Sequence, residues 1–170
     1  MIIEMMQKIG WFYDGIMKQA TPTPTPCTWI LEQAADALIY AGRDGCIALW
    51  NAAAERVFGW SAAEALGQNL DLIIPEHLRA GHWRGWDAAM ASGQLHLNGA
   101  ATLTRALTKA GGKCYVEMSF ALVKGEAGTP IGSVAMARDV TARVEKERQE
   151  RQERQERQER QEHPKGFTKA

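Results

Sequence analysis

The stretch DGCIALWNAAAERVFGW, residues 44–60, changes its period halfway along. Its first half is the return arm of a hairpin. LIYAGRDGCIALWN, residues 38–51, sets two short apolar runs around the turn residues Arg43, Asp44 and Gly45. From Asn51 onward the pattern is that of a short helix, punctuated by Gly59. Upstream, WILEQAADAL reads as another short helix, with Ile30, Leu31, Ala34 and Leu38 toward the core. Downstream, SAAEALGQNL is a further short helix, and Ser61 and Glu64 have capping-box spacing. Pro75 to Ser92 is a longer helical stretch.

Three strands follow. LHLNGAATLTRAL places Leu95, Leu97, Ala101, Leu103 and Leu107 on one face, and CYVEMSFAL places Cys114, Val116, Met118, Phe120 and Leu122 on one face. Turns at Ala110-Gly111-Gly112 and at Gly125 to Pro130 separate them from PIGSVAMARDV. Two strands, several helices and three strands make an α+β domain, a five-stranded antiparallel sheet with its helices gathered on one face.

The ends differ from this middle. MIIEMMQKIGWFYDGIMKQA, residues 1–20, is an amphipathic helix with Ile2, Met5, Met6, Ile9 and Phe12 on its apolar side. Two lysines on the polar side favour cover for the domain, or pairing with a second copy, over attachment to a membrane surface. TPTPTP, within a linker spanning 21–27, enforces an extended spacer. The domain proper runs from 28 to 140. A charged exit helix spans 141–162, with RQE repeats in which Glu147 and Arg151, or Glu150 and Arg154, are paired four residues apart. Beyond Val140 and Val144 it has no apolar seam, which limits a coiled coil to its first turns. Residues 163–170 break the helix at Pro164 and fray.

Lys+Arg and Asp+Glu are each 20, so no global field draws the chain to nucleic acid or an anionic membrane. Cys27, Cys46 and Cys114 are odd in number and scattered, against both a disulfide framework and a thiolate metal cage. No apolar run approaches the roughly 20 residues of a membrane span. These features predict a cytoplasmic protein. No phosphate loop, nucleophile elbow or paired-histidine zinc motif is present, so a binding or signalling role is expected rather than an enzyme.

Four stretches, DGCIALWNAAAERVFGW, ALGQNLDLIIPEH (65–77), TKAGGKCYVEMSF (108–120) and RDVT (138–141), resemble the PAS domain family in content and order. The stretches WNAAA, FGW and GQNL are most similar to the oxygen-sensing haem domain of the FixL kinases. That resemblance implies a sensory domain binding haem b, with His82 as the proximal ligand of the iron. It also implies that Leu97, Met118 and Phe120 form the apolar distal wall, and that Thr102 stands where the family has a distal arginine. A threonine supplies no mobile cation, so carbon monoxide, nitric oxide or redox state rank beside oxygen as the signal. Met118, a soft thioether in the distal strand, is a candidate second iron ligand. The Asp139-Val140-Thr141 triplet resembles the family's junction between sheet and exit helix.

The helical pattern itself puts Leu78, His82, Trp86, Ala89 and Met90 on one face, with Arg84 and Asp87 away from it. Gly81 and Gly85 flank His82 at a cost of about 1 kcal/mol each relative to Ala, explained by close approach of a flat ligand or of a neighbouring backbone. Three readings stand side by side. The first is a haem-bound gas or redox sensor; in the second no cofactor binds, and the domain is a dimerisation module acting through the N-terminal helix or the sheet, with His82 half-buried and bonded to a carbonyl and Gly81 and Gly85 simply ending a short helix. The third is a receptor for a small apolar ligand or a non-covalent flavin. Because the family's light-sensing branch has Asn-Cys where this chain has Asn69-Leu70, a flavin–thiol adduct is excluded. The downstream partner or output domain is expected outside these residues, and Trp50, Trp60, Trp83, His77 and His96 are assigned to core or surface.

Overall fold

The computed structural model describes residues 25–95 and 100–162, with side chains to 159. The amphipathic stretch 1–20, Leu97, His96 and the tail 163–170 lie outside the described residues.

The first described element is α1, Pro26–Gln33. It starts inside the segment predicted to be an extended linker, for a local reason. The Thr25 hydroxyl accepts from the Thr28 N–H at 3.4 Å, and Pro26 takes the first helical position, where its missing N–H costs nothing. None of its residues is buried, and Ile30 and Leu31 are 68% and 40% exposed where the sequence pattern predicted burial. Leu38 belongs not to this helix but to β1, Ala37–Gly42. The cause is Asn51, whose Oδ1 accepts from Leu38 N at 2.9 Å and whose Nδ2 donates to the Asp36 carbonyl at 3.1 Å, which holds residues 36–38 extended.

β1 turns into β2, Ile47–Trp50, through Gly45, whose φ of 77° is accessible to glycine without strain. Asn51 then ends β2 and starts α2, Ala52–Phe58, by accepting from Ala54 N at 2.9 Å. At 1% exposure its side chain is a buried junction that bonds the backbone of Asp36, Leu38 and Ala54. Gly59, at φ 79°, closes α2 in the left-handed conformation. The short α3, Ala62–Ala65, begins at Ser61, where Glu64 accepts from both Ser61 N (3.1 Å) and Ser61 Oγ (2.8 Å). Glu64 also binds Lys109 across the fold, and these partners hold its carboxyl at about 2. A 3-10 turn, Leu70–Leu72, leads to α4, Glu76–Ser92.

Strands β3 (Thr102–Leu107), β4 (Lys113–Lys124) and β5 (Pro130–Asp139) complete an antiparallel sheet ordered β2-β1-β5-β4-β3. The inward face of β4 carries Cys114, Val116, Met118, Phe120 and Leu122 as the alternation predicts. β3 is the opposite of its expected phase. Thr102, Thr104 and Ala106 pair with Met118, Val116 and Cys114 and share their face, while Leu103 is 50% exposed on the other. A one-residue change of phase exchanges every side chain between faces. The core joins Ile39, Ile47, Trp50, Phe58 and Val116, each burial contributing roughly 1.5–3 kcal/mol.

The exit helix α5, Thr141–Glu162, is tied to β4. Asp139 Oδ1 accepts from Thr141 N at 2.8 Å, Thr141 Oγ1 accepts from Tyr115 N at 2.9 Å, and Val140 N donates to the Tyr115 carbonyl at 2.9 Å. Arg143 pairs with Glu117, and the Arg148 guanidinium lies 4.7 Å from the Tyr115 ring centre. Val140, just before the helix, and Val144 within it are buried; from Glu145 to Glu159 the helix is exposed.

Candidate functional site

Between α4 and the inner face of the sheet lies a cavity of about 570 Å³, within the range that takes a cofactor-sized ligand. The helix contributes Leu78, His82, Trp86, Ala89 and Met90, the face that the helical period sorted together. Opposite it stand Met118, Phe120 and Leu122 of β4, with Ile39 of β1 and Ala135 of β5. Thr104 and Ser133 are the sheet's hydroxyls in the wall, and Ser133 is already satisfied, donating to the Ala121 carbonyl at 3.1 Å.

Gly81 and Gly85 open the helix side of this space. A Cβ built at Gly85 meets nothing within 4 Å, and one at Gly81 meets only the tip of Arg84 at 3.9 Å. A neighbouring backbone does not account for them, and α4 runs on through both to Ser92, so they do not end a short helix either.

His82 is half-buried, and its Nδ1 is buried without a hydrogen-bond partner. The bond to a carbonyl expected of a structural histidine is not made by this atom. Burial pushes the imidazole below its usual titration range, opposed by the nearby Asp71 carboxylate, so the ring is neutral with a free lone pair at neutral pH. Its neighbours are indoles: Trp83 edge-on at 4.8 Å and 84°, and Trp86 tilted at 6.0 Å. Trp86 Nε1 donates to the Arg43 carbonyl at 3.2 Å, and Trp83 Nε1 donates to Asp71 Oδ1 at 2.9 Å.

Of the residues picked from sequence, Leu78, His82, Trp86, Met118 and Phe120 line one cavity. Thr102 does not: it sits exposed at the start of β3, and Thr104, two residues on and on the same face, takes the place in the wall. Leu97 is outside the described residues. Trp50, Trp60 and Trp83 are not in the wall, nor are Cys46 and Cys114, and His77 is exposed. Sequence reading missed Thr104, Ile73 and Gln94 as wall residues; the first is placed only by the register of β3 on β4, where Thr104 pairs with Val116.

The donor set decides which inorganic groups the site fits. Among the described residues no three His, Cys, Asp or Glu side chains converge on a metal position, so the cavity offers an ion no protein cage. A porphyrin brings four nitrogens of its own and asks for one axial donor and apolar walls, which His82 and its surroundings provide. Among the described residues, no helix is long and apolar enough to cross a membrane.

Known proteins share this architecture. The chain is 47% identical over 53 residues to the sensor protein FixL of Bradyrhizobium diazoefficiens, a match covering 31% of this chain and 10% of that protein. It is 27% identical over 119 residues to the oxygen sensor protein DosP of Escherichia coli, covering 70% of this chain and 15% of that one. The chain thus spans a small part of the length of these relatives. A PAS domain from Colwellia psychrerythraea superposes with a TM-score of 0.60 at 21% identity, over 68% of this chain and 95% of the other. An RNA-binding light-oxygen-voltage receptor superposes at 0.58 with 27% identity, over 80% and 38%. Residues 31–145 match the model of the PAS fold, and with the five-stranded sheet, its helices and the cavity between them, the chain belongs to the PAS-fold family.

Proposed function

We propose that this domain is a sensor that binds haem b in the cavity between α4 and the sheet, with His82 as the axial ligand. The observation that carries the reading is a neutral, half-buried imidazole with a partnerless Nδ1 on the wall of an apolar cavity of about 570 Å³. Haem supplies an iron that takes a diatomic gas or changes redox state. The protein's part is to offer the imidazole, to exclude water with Leu78, Phe120 and Leu122, and to leave space at Gly81 and Gly85. Likeness to FixL and to the oxygen sensor DosP supports the same reading. Met118, across the cavity on β4, is the candidate second donor, and Leu97 the candidate distal neighbour. Thr102 is exposed and carries no charge, so the signal is not assigned to oxygen over carbon monoxide, nitric oxide or redox change.

Protein reconstituted with haem is expected to show a Soret band that His82→Ala abolishes or strongly weakens; an unchanged spectrum in that variant overturns the proposal. A second reading, a non-covalent flavin, draws on the likeness to the light-oxygen-voltage receptor. Leu70, the residue after Asn69, is in the cavity wall and among the described residues no cysteine lines it, so a thiol adduct is not part of that reading. Release of a yellow, fluorescent cofactor on denaturation favours the flavin. The third reading is a haem-free dimerisation module; Leu103 and Met136, both about half exposed on the outer face of the sheet, support contact with a second copy. A colourless dimer that dissociates on deleting residues 1–20 favours it.

A further inference from the structure

A histidine that holds a metal through one ring nitrogen ordinarily has its orientation set by a hydrogen bond from the other. With Nε2 as the nitrogen that would hold the metal, that bond would fall to Nδ1, and in His82 Nδ1 makes none, so the ring's orientation falls to what packs against it. The packing partner is Trp83, the next residue on α4, which meets the imidazole edge-on at 4.8 Å. Trp83 is itself fixed at two further places. Its Nε1 donates to Asp71 Oδ1 at 2.9 Å, and the far edge of its six-membered ring fills the space above Gly45, where a Cβ would stand 2.4 Å from Cη2 and 2.7 Å from Cζ3.

Asp71 does not float. Its backbone N–H donates to Asn69 Oδ1 at 2.9 Å, its carbonyl accepts from Arg79 Nη2 at 3.0 Å, and Arg79 Nε, which donates to the Ile74 carbonyl at 3.1 Å, lies 3.7 Å from Asp71 Oδ2. The 3-10 turn, the hairpin turn and α4 therefore converge on one indole. That indole sits against the imidazole and outside the cavity wall.

We infer that Trp83 and Asp71 are positioning residues for His82, performing through ring packing what an Nδ1 hydrogen bond does in other histidine–metal sites. The inference rests on the haem reading for its purpose, but the arrangement exists without haem. Three substitutions separate the contributions. Trp83→Phe keeps an aromatic ring beside His82 but removes the donor and withdraws from Gly45; Asp71→Leu removes the acceptor; Asp71→Asn keeps an acceptor and removes the charge.

In haem-free protein, the His82 ring resonances are expected as one sharp set in the wild type and in Asp71→Asn, and as displaced or broadened signals in Trp83→Phe and Asp71→Leu. In reconstituted protein the latter two should shift the iron–histidine stretching band and release haem roughly tenfold faster or more, the usual scale for losing an outer-shell partner. Unchanged His82 resonances and an unchanged stretching band in both overturn the inference. So does an Asp71→Asn variant as perturbed as Asp71→Leu, which assigns the effect to charge alone. If Asp71→Leu does not fold, Trp83→Phe carries the test. A wild type with no Soret band defeats the haem reading only, because the resonance measurement needs no haem.

Discussion

The two long helices reach the same secondary structure by opposite means. α4, with 17 residues, has two interior glycines, each costing about 1 kcal/mol relative to Ala, and no basic residue in its last turn. It is held by tertiary contact: Trp83 on Gly45 and Asp71, Trp86 on Arg43, Arg79 on the 3-10 turn. α5, with 22 residues, is buried among its described residues only at Val144, just after the buried Val140, and thereafter leans on itself, through pairs such as Glu150 with Arg154 and Glu153 with Arg157. A helix that borders a cavity can carry glycines because the sheet and turns hold it, whereas one standing in solvent needs every local pair.

That contrast breaks most sharply at Gly45. Gly45→Ala sets a Cβ into Trp83 at a φ of 77°, and is expected to cost about 3 kcal/mol through strain and overpacking. Denaturant unfolding measures the loss, and amide exchange should rise in α4 while the exposed part of α5 keeps its wild-type protection. Gly85→Ala acts the other way. With nothing within 4 Å of the new methyl, it should stabilise the cofactor-free protein by about 1 kcal/mol while narrowing the cavity, so haem titration should show weaker binding in a more stable protein. Equal or tighter binding would mean that Gly85 is not there for the ligand.

Replacing Glu150 and Glu153 with glutamine removes the acidic partners of α5 and should cost about 0.2–0.5 kcal/mol per pair, seen as reduced helicity in α5 alone. Added salt should mimic the change there and leave α4 untouched. The smallest effect belongs to Glu64. Its carboxyl is held at about 2, below the ordinary 4.5, so its contribution is present above pH 4.5 and is lost as pH falls toward 2. Glu64→Gln should remove that acid-dependent component from a stability–pH profile.

Legibility followed the reach of each interaction. The β4 alternation and the cavity face of α4 were readable because period and burial agree. β3 was not: leucines draw an apolar reading inward, yet Leu103 points out and Thr102 and Thr104 point in, since pairing with β4 fixes the phase. The start of α1 was written locally in Thr25 and Pro26, but the repeated Thr-Pro pattern masked it. For the site, His82 and its helix face were legible, and the partnerless Nδ1 was not. Gly45 announced a turn, and nothing in its neighbours announced that an indole 38 positions later would rest on it, because that contact exists only once the hairpin and α4 are assembled.

Tyr115 shows what such assembly does at the other end of the molecule. Its N–H and its carbonyl are both engaged by the residues that open α5, and its ring lies beneath Arg148 two turns further along. Val116, the next residue, is in the core, and Met118 is in the cavity wall. Strand and helix are therefore fastened at one residue: a slide of β4 along its neighbours would have to break these bonds or carry the first residues of α5 with it, as a crank carries its shaft.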